Sequence, residues 1–268
     1  MKLADYAITE AGFGADLGAE KFLDIKCRQA NIQPNVVICV ATIKALKYHG
    51  GVSKEHILEE NMEALEKGMS NLYKHVDNIR GKFGLNIIVA INKYNTDSEK
   101  EIEFVQNELE KRKIMSSVVE SWAKGGEGAI DISNKIIEVA EKETEFEYMY
   151  SLKETIVEKI NNVAMRIYGA KGVIYPEDVT KKIEKIEEMG YGNLPICIAK
   201  TQYSLSDDVK NLECDEPFEI NVRDVELKAG AGFIVVLAGK IMTMPGLPKI
   251  PAAESIDIDE NRKITGIF

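Results

Sequence analysis

The sequence of 268 residues is poor in several features that identify whole classes of protein. It has four cysteines without a Cys-x-x-Cys pair and only three histidines, which argues against a disulfide framework or a structural zinc site. The 44 acidic residues outnumber the 34 basic ones, and the net charge of −10 disfavours non-specific binding to nucleic acid or to an anionic membrane. The hydrophobic and charged fractions, 45% and 29%, are ordinary for a globular protein and exclude a disordered one.

Long apolar runs are also missing. The longest apolar-rich stretch, 230–241, is interrupted by Gly239 and Lys240 and is too short to cross about 30 Å of hydrocarbon. The first residues lack the apolar core of a signal peptide, so we expect a soluble cytoplasmic protein. Neither Gly-x-Ser-x-Gly nor His-Glu-x-x-His occurs, which leaves hydrolase and zinc-protease chemistry without support.

Strand-like and helix-like segments alternate along the chain, which predicts an α/β fold with a layered parallel sheet. The pattern changes from about residue 148, and we place a domain boundary near residue 92. We expect 36–41 to be a central strand and Ser53 to cap the helix that follows it. The predicted strands are 4–9, 36–41, 85–91, 114–120 and 195–199, with 220–227 as a more exposed strand or hairpin. The predicted helices are 19–29, 53–79, 98–112, one ending near 142, 151–168 and 176–189.

Ligands of α/β sheets bind beyond the carboxyl ends of the strands, where this sequence places three notable loops. The first loop is rich in glycine and precedes a helix, which suits a phosphate group, although glycines more often only form turns. Its carboxylates suit a metal or a nucleotide hydroxyl, or are simply exposed or capping groups. The candidate nucleotide-proximal residues of this loop are Glu10, Gly12, Phe13, Gly14, Asp16 and Gly18.

The other two loops each carry an aromatic residue. Tyr94 follows a predicted strand and either packs into the core or stacks on a planar ligand. Its loop runs Asn-Lys-x-x-x-Asp, a spacing that differs from the guanine-binding Asn-Lys-x-Asp of GTPases. Trp122, the only tryptophan, precedes the run Gly-Gly-Glu-Gly at 125–128. A lone tryptophan usually packs in the core, but one beside glycines at the edge where ligands bind is a better candidate for stacking than average.

Several long segments closely resemble formate–tetrahydrofolate ligases. This resemblance implies that Tyr94 and Trp122 clamp the folate pterin, with Thr42, Lys44, Asn92 and Lys93 as further candidate cleft residues. The chain departs from the usual pattern at three positions, where Lys44 replaces Arg, Tyr94 replaces Phe and Asn95 replaces Pro; the tyrosine keeps its π-face. The matching segments are 9–22, 40–51, 122–128, 201–208, 244–248 and 264–268.

The resemblance also implies the reaction. Formate attacks the γ-phosphate of ATP to give formyl phosphate and ADP, and N10 of tetrahydrofolate then attacks the formyl carbon and releases phosphate. ATP with Mg²⁺ is the implied cofactor, together with a monovalent cation, and the family's homotetramer is the implied assembly.

Two family blocks do not occur in these 268 residues, namely Thr-Pro-Ala-Gly-Glu-Gly-Lys-Thr-Thr and Lys-Gly-Gly-Ala-Ala-Gly-Gly-Gly-Tyr. Both belong to the family's N-terminal half, which supplies the phosphate-neutralising lysine. The resemblance therefore implies a parallel-sheet, P-loop-NTPase-like domain that is incomplete here, followed by an α/β C-terminal domain smaller than the complete one. The expected division is 1–92 for the remainder of the nucleotide-binding domain and 93–268 for the C-terminal α/β region with the folate loops. The chain is then inactive alone and associates with an N-terminal half or with itself. The alternative is a non-catalytic folate-binding or assembly module.

Overall fold

Two main sheets organise the structure, a computed structural model that describes residues 3–212, 217–241, 249–260 and 264–266. The segment 244–248 and Cys214 lie outside these ranges. The first sheet is parallel, with strand order β1-β2-β3, and the second is mixed, with order β4-β6-β7-β5. Strands β8 and β9 form a small antiparallel pair. The α/β fold predicted from the sequence is therefore confirmed.

The strands are β1 (Val36–Ala41), β2 (Asn86–Asn92), β3 (Ser116–Val119), β4 (Gly172–Ile174), β5 (Ile196–Ala199), β6 (Glu219–Lys228), β7 (Phe233–Ala238), β8 (Asp257–Ile258) and β9 (Ile264–Thr265). The α-helices are α1 (Gly18–Lys21), α2 (Arg28–Ala30), α3 (Ile43–His49), α4 (Met62–Asp77), α5 (Glu99–Lys111), α6 (Ser121–Lys124), α7 (Ile130–Ala140), α8 (Ile156–Asn162) and α9 (Glu177–Glu188). Single π-helical turns at Phe22–Cys27, Asn78–Lys82 and Val163–Tyr168 continue α1, α4 and α8.

Strand β2 is the centre of the first sheet. Its residues 87–91 are all apolar and buried, and β1 and β3 pair with it in parallel on either side. Its two faces enter two hydrophobic clusters. Ile87, Val89 and Ile91 join the main core, while Ile88 and Ala90 pack with Ile132 and Val139 of α7. Because both faces are covered, this strand is a continuous apolar run rather than an alternating one.

The main core continues from the first sheet into the second. It contains Ile198 of β5 and Ile234 and Val236 of β7 together with the β2 residues. Strands β6 and β7 form the hairpin expected around 220–227, with a register shift between Val222 and Asp224. Strand β3 lies beyond residue 92 but pairs with β2, so the first sheet extends past the predicted domain boundary. The division at 92 stays a prediction.

Three expectations were wrong. Residues 4–9 form no strand and are exposed, with Ile8 81% exposed, because no strand among the described residues pairs with them to satisfy their backbone groups. Strand β1, expected to be central, pairs only with β2 among the described strands, and its Val40 is 65% exposed. Helix α4 begins at Met62 rather than near Ser53, because the Asn61 side chain accepts the Ala64 N–H at 3.0 Å and caps it.

No helix in the described part of the chain is both long enough and apolar enough to cross a membrane.

Candidate functional site

The carboxyl ends of β1, β2 and β3 meet at one edge of the first sheet, because the three strands are parallel. Thr42 follows β1, Lys93 and Tyr94 follow β2, and Trp122 lies just beyond β3. The Lys93 N–H donates a hydrogen bond to the carbonyl of Val119 at 3.0 Å, so the second and third loops start side by side.

The Tyr94 loop is held by its own carboxylate and by the helix that follows. The Tyr94 N–H donates to Oδ2 of Asp97 at 2.8 Å. Ser98 then caps α5 in a reciprocal capping box with Glu101. Tyr94 as a whole residue stays 38% exposed at this edge.

Trp122 is anchored by one atom and otherwise open. Its indole Nε1–H donates to the carbonyl of Lys93 at 2.9 Å, while 55% of the residue is exposed. The turn behind it is tight, since Glu120 N–H donates to the carbonyl of Gly128 at 3.1 Å. A Cβ at Gly128 would lie 2.5 Å from the carbonyl carbon of Glu120, so this glycine is needed for the close approach.

Helix α3 brings a lysine onto the tyrosine ring. Thr42 caps the helix, its Oγ1 accepting the Ala45 N–H at 3.1 Å. Two residues after Thr42, Lys44 places its Nζ 4.5 Å from the centroid of the Tyr94 ring, a cation–π distance.

The charges around the aromatics are mostly paired. Lys93 forms an ion pair with Glu99, whose hydrogen bond raises the pKa of the lysine. Lys124 donates to Glu120 at 2.6 Å and lowers the pKa of that carboxyl. Burial raises the pKa of Asp97, against the opposing effects of the Tyr94 N–H and the nearby Lys44. The edge thus offers two aromatic surfaces with fixed charges beside them.

A buried ion pair near this edge was not predicted from the sequence. Lys47 and Glu101, each 1% exposed, are joined Nζ to Oε1 at 2.9 Å, and Lys47 also donates to the carbonyl of Glu59 at 2.7 Å. The pair ties α3 to the first turn of α5. The Ser-x-x-Glu spacing of Ser98 and Glu101 is a visible capping-box pattern, but the lysine partner is visible only in the fold.

The glycine-rich loop at 10–18 has a different environment. Asp16 is 8% exposed, and burial raises its pKa despite the charges of Lys200 and Lys21. Its Oδ2 atom has no hydrogen-bond partner among the described residues. Glu10 is exposed, and Phe13 is 68% exposed with a positive φ of 65°. Lys200 directly follows β5, so Asp16 interacts with a residue at the end of a second-sheet strand.

One glycine of this loop is explained by packing. A Cβ at Gly18 would lie 1.7 Å from the carbonyl oxygen of Gly12, whereas a Cβ at Gly12 would meet nothing within 4 Å. The Gly14 carbonyl accepts the N–H groups of Leu17 and Gly18 at 3.1 and 2.8 Å and closes the turn. Whether the loop contacts a phosphate stays a prediction.

Lys200, beside the matching segment 201–208, is fully buried. Its Nζ donates to the carbonyls of Thr201, at 3.0 Å, and of Ser204, and lies 4.8 Å from the Tyr168 ring centroid. Within the described ranges, no group of three or more His, Cys, Asp and Glu side chains could hold a metal ion.

The sequence model of the formate–tetrahydrofolate ligase family matches residues 1–268. Since the match covers the full sequence, the chain belongs to this family. Membership carries the general activity, ligation of formate to tetrahydrofolate, with ATP and tetrahydrofolate as substrates.

Proposed function

From this membership we propose that the chain supplies the tetrahydrofolate-binding part of the ligase, with the pterin ring stacked between Tyr94 and Trp122. One observation carries the proposal. Both rings are partly exposed at the same edge of the first sheet, and the Trp122 indole is bonded to the carbonyl of Lys93, the residue next to Tyr94. A planar heterocycle gains offset stacking on such surfaces.

In the proposed reaction, a formate oxygen attacks the γ-phosphorus of ATP, ADP leaves, and formyl phosphate forms. N10 of tetrahydrofolate then attacks the formyl carbon, the carbon–oxygen bond to phosphate breaks, and N10 loses its proton. The residues described here bind and orient the pterin. The Gly-Glu-Gly-Lys-Thr run that handles phosphate in the family is not among the 268 residues, so no step on ATP, Mg²⁺ or a monovalent cation is assigned to them.

We expect this chain to work with a partner, either an N-terminal half that carries the phosphate-binding lysine or further copies of itself, in a cytoplasmic setting. The support is the open edge of β1, which is apolar throughout and has Val40 exposed. Size-exclusion chromatography that gives a stable monomer across a wide concentration range would contradict this expectation.

Because Trp122 is the only tryptophan, its fluorescence reports on the site without a label. We expect tetrahydrofolate to quench it saturably, and Tyr94→Ala to weaken binding about tenfold through the loss of stacking. Tyr191→Ala is the matched control, since Tyr191 is 37% exposed against 38% for Tyr94 and lies after α9. Equal affinities for the two variants would refute the aromatic clamp.

An assay of ligase activity distinguishes the proposed function from the alternative of a non-catalytic binding module. We expect no 10-formyltetrahydrofolate from the isolated chain with ATP, Mg²⁺, formate and tetrahydrofolate, and turnover once an N-terminal half of a family member is added. Product from the isolated chain would contradict the predicted inactivity. Folate binding without turnover in the mixture would favour a binding module.

A further inference from the structure

The Tyr94 ring has its two faces in different surroundings. The ammonium of Lys44 lies over one face, 4.5 Å from the centroid, and the residue is still 38% exposed. A planar substrate therefore cannot stack on the face that the lysine covers. It must use the other face.

The backbone that carries Lys44 is held firmly relative to the tyrosine loop. Lys47, one turn further along α3, makes the buried ion pair with Glu101 at 2.9 Å. Glu101 also closes the capping box with Ser98, which directly follows the Tyr94–Asp97 turn. The lysine helix and the tyrosine loop are thus joined by a buried contact, so the Lys44–Tyr94 contact is set by the fold.

The charge of Lys44 also acts on the carboxylate that holds the loop. Asp97 accepts the Tyr94 N–H at 2.8 Å. Burial raises the pKa of this carboxyl, and the charge of Lys44 acts against burial more strongly than that of Lys47 and favours the charged form. A charged Asp97 is the stronger hydrogen-bond acceptor. Lys44 therefore supports both the ring and the backbone of Tyr94.

We propose that Lys44 is a positioning residue that fixes the Tyr94 ring and selects the face on which the pterin stacks. The proposal rests on the proposed function and adds the residue that orients one half of the clamp. It predicts that the cation matters only while the aromatic ring is present.

The test measures tetrahydrofolate binding to the full 268-residue chain by Trp122 quenching. We expect Lys44→Met to weaken binding about fivefold and Lys44→Arg, which keeps a cation over the ring, to stay within about twofold of the original chain. Lys54→Met is the matched control, because it removes a lysine that lies 5.9 Å from another tyrosine ring, that of Tyr203. It should leave the affinity unchanged.

A double-mutant cycle distinguishes positioning from a general effect on folding. In a Tyr94→Leu background, Lys44→Met should cost less than about twofold, because there is no ring left to hold. The same fivefold loss in both backgrounds would overturn the proposal while leaving the folate site intact. A chain that binds tetrahydrofolate equally with and without Lys44 would also overturn it, whereas no quenching in the original chain would overturn the proposed function itself.

An NMR measurement on the unliganded original chain tests the Lys44–Tyr94 contact even if a variant folds poorly. In the original chain the Lys44 ε-methylene protons should show an upfield NMR shift from the ring current of Tyr94. The shift should vanish in Tyr94→Leu. An unshifted Lys44 signal in the original chain would contradict the contact on which the proposal depends.

Discussion

The two sheets differ in the exposure of the polar and aromatic side chains beside them. At the edge of the first sheet, Trp122 and Tyr94 are partly exposed, and Lys93 pairs with an exposed Glu99. Beside the second sheet, Lys200 and Ser204 are fully buried and satisfied by main-chain and hydroxyl oxygens. Exposed groups can exchange water for a ligand at little cost, while buried ones are committed to the fold. We therefore expect ligand binding at the edge of the first sheet and a contribution to stability from the buried polar groups beside the second.

The largest effect should come from removing the buried lysine. Lys200→Met leaves the carbonyls of Thr201 and Ser204 without this donor and removes one of the two lysine charges that act on Asp16. We expect a loss of about 3 kcal/mol in the free energy of unfolding. Urea unfolding measures it. Lys93→Met, the same change at an exposed ion pair, should cost less than about 1 kcal/mol. Similar losses at both positions would break the comparison.

A pH effect should be the next largest. Burial lowers the pKa of His75 to about 3, with the nearby charges of His49, Lys200 and Lys74 acting in the same direction. The folded state therefore holds His75 neutral, whereas the unfolded chain takes up a proton below a pKa of about 6.5. Stability attributable to His75 is present above pH 6.5 and is lost as the pH falls towards 3, by about 2 kcal/mol between pH 7 and 5.

The pH effect is isolated by a difference between variants. Between pH 7 and pH 5 the original chain should lose about 2 kcal/mol of unfolding free energy more than the His75→Gln variant loses. His56→Gln, at an exposed histidine paired with Glu59, is the control and should show no comparable difference. A difference for His75→Gln that does not depend on pH would show that the imidazole is not held neutral.

The smallest expected effect concerns the N-terminal cap of helix α4. Asn61→Ala removes the side chain that caps α4 and should cost about 1 kcal/mol, measured by the thermal midpoint. Ser53→Ala, at the position the sequence suggested as the cap, should stay within about 0.5 kcal/mol because Ser53 is exposed and lies outside α4. A larger cost at Ser53 than at Asn61 would contradict the observed start of the helix.

The order of apolar and polar residues was enough to predict strands whose burial follows a simple pattern. The apolar run of β2 and the alternation of β6 both gave strands, since burial on two faces or one face leaves a direct mark on the sequence. The meeting of Lys93, Tyr94 and Trp122 also followed from sequence, because parallel strands share one carboxyl edge. Their role in binding tetrahydrofolate stays a prediction.

What sequence could not predict depends on distant partners. Residues 4–9 are apolar enough for a strand but pair with none of the described strands. Asn61 rather than Ser53 caps α4, because its side chain accepts the Ala64 N–H. The Lys47–Glu101 pair joins two helices on either side of β2 in the chain. Lys200 is fully buried, and its charge acts on Asp16 and lies over the ring of Tyr168, both distant in sequence. Charged residues in a sequence are expected at the surface, so nothing local marks these as buried.

Gly18 and Gly12 differ in the space around them, so selection for folding and selection for catalysis should act differently on the glycine-rich loop. No side chain fits at Gly18 beside the carbonyl of Gly12, so a randomised library selected only for folding should recover glycine at position 18. Gly12 faces open space, and the same library should accept many residues there. If a second selection, for catalysis in the assembled enzyme, restored glycine at position 12 as well, the added constraint would come from a substrate passing close to the backbone.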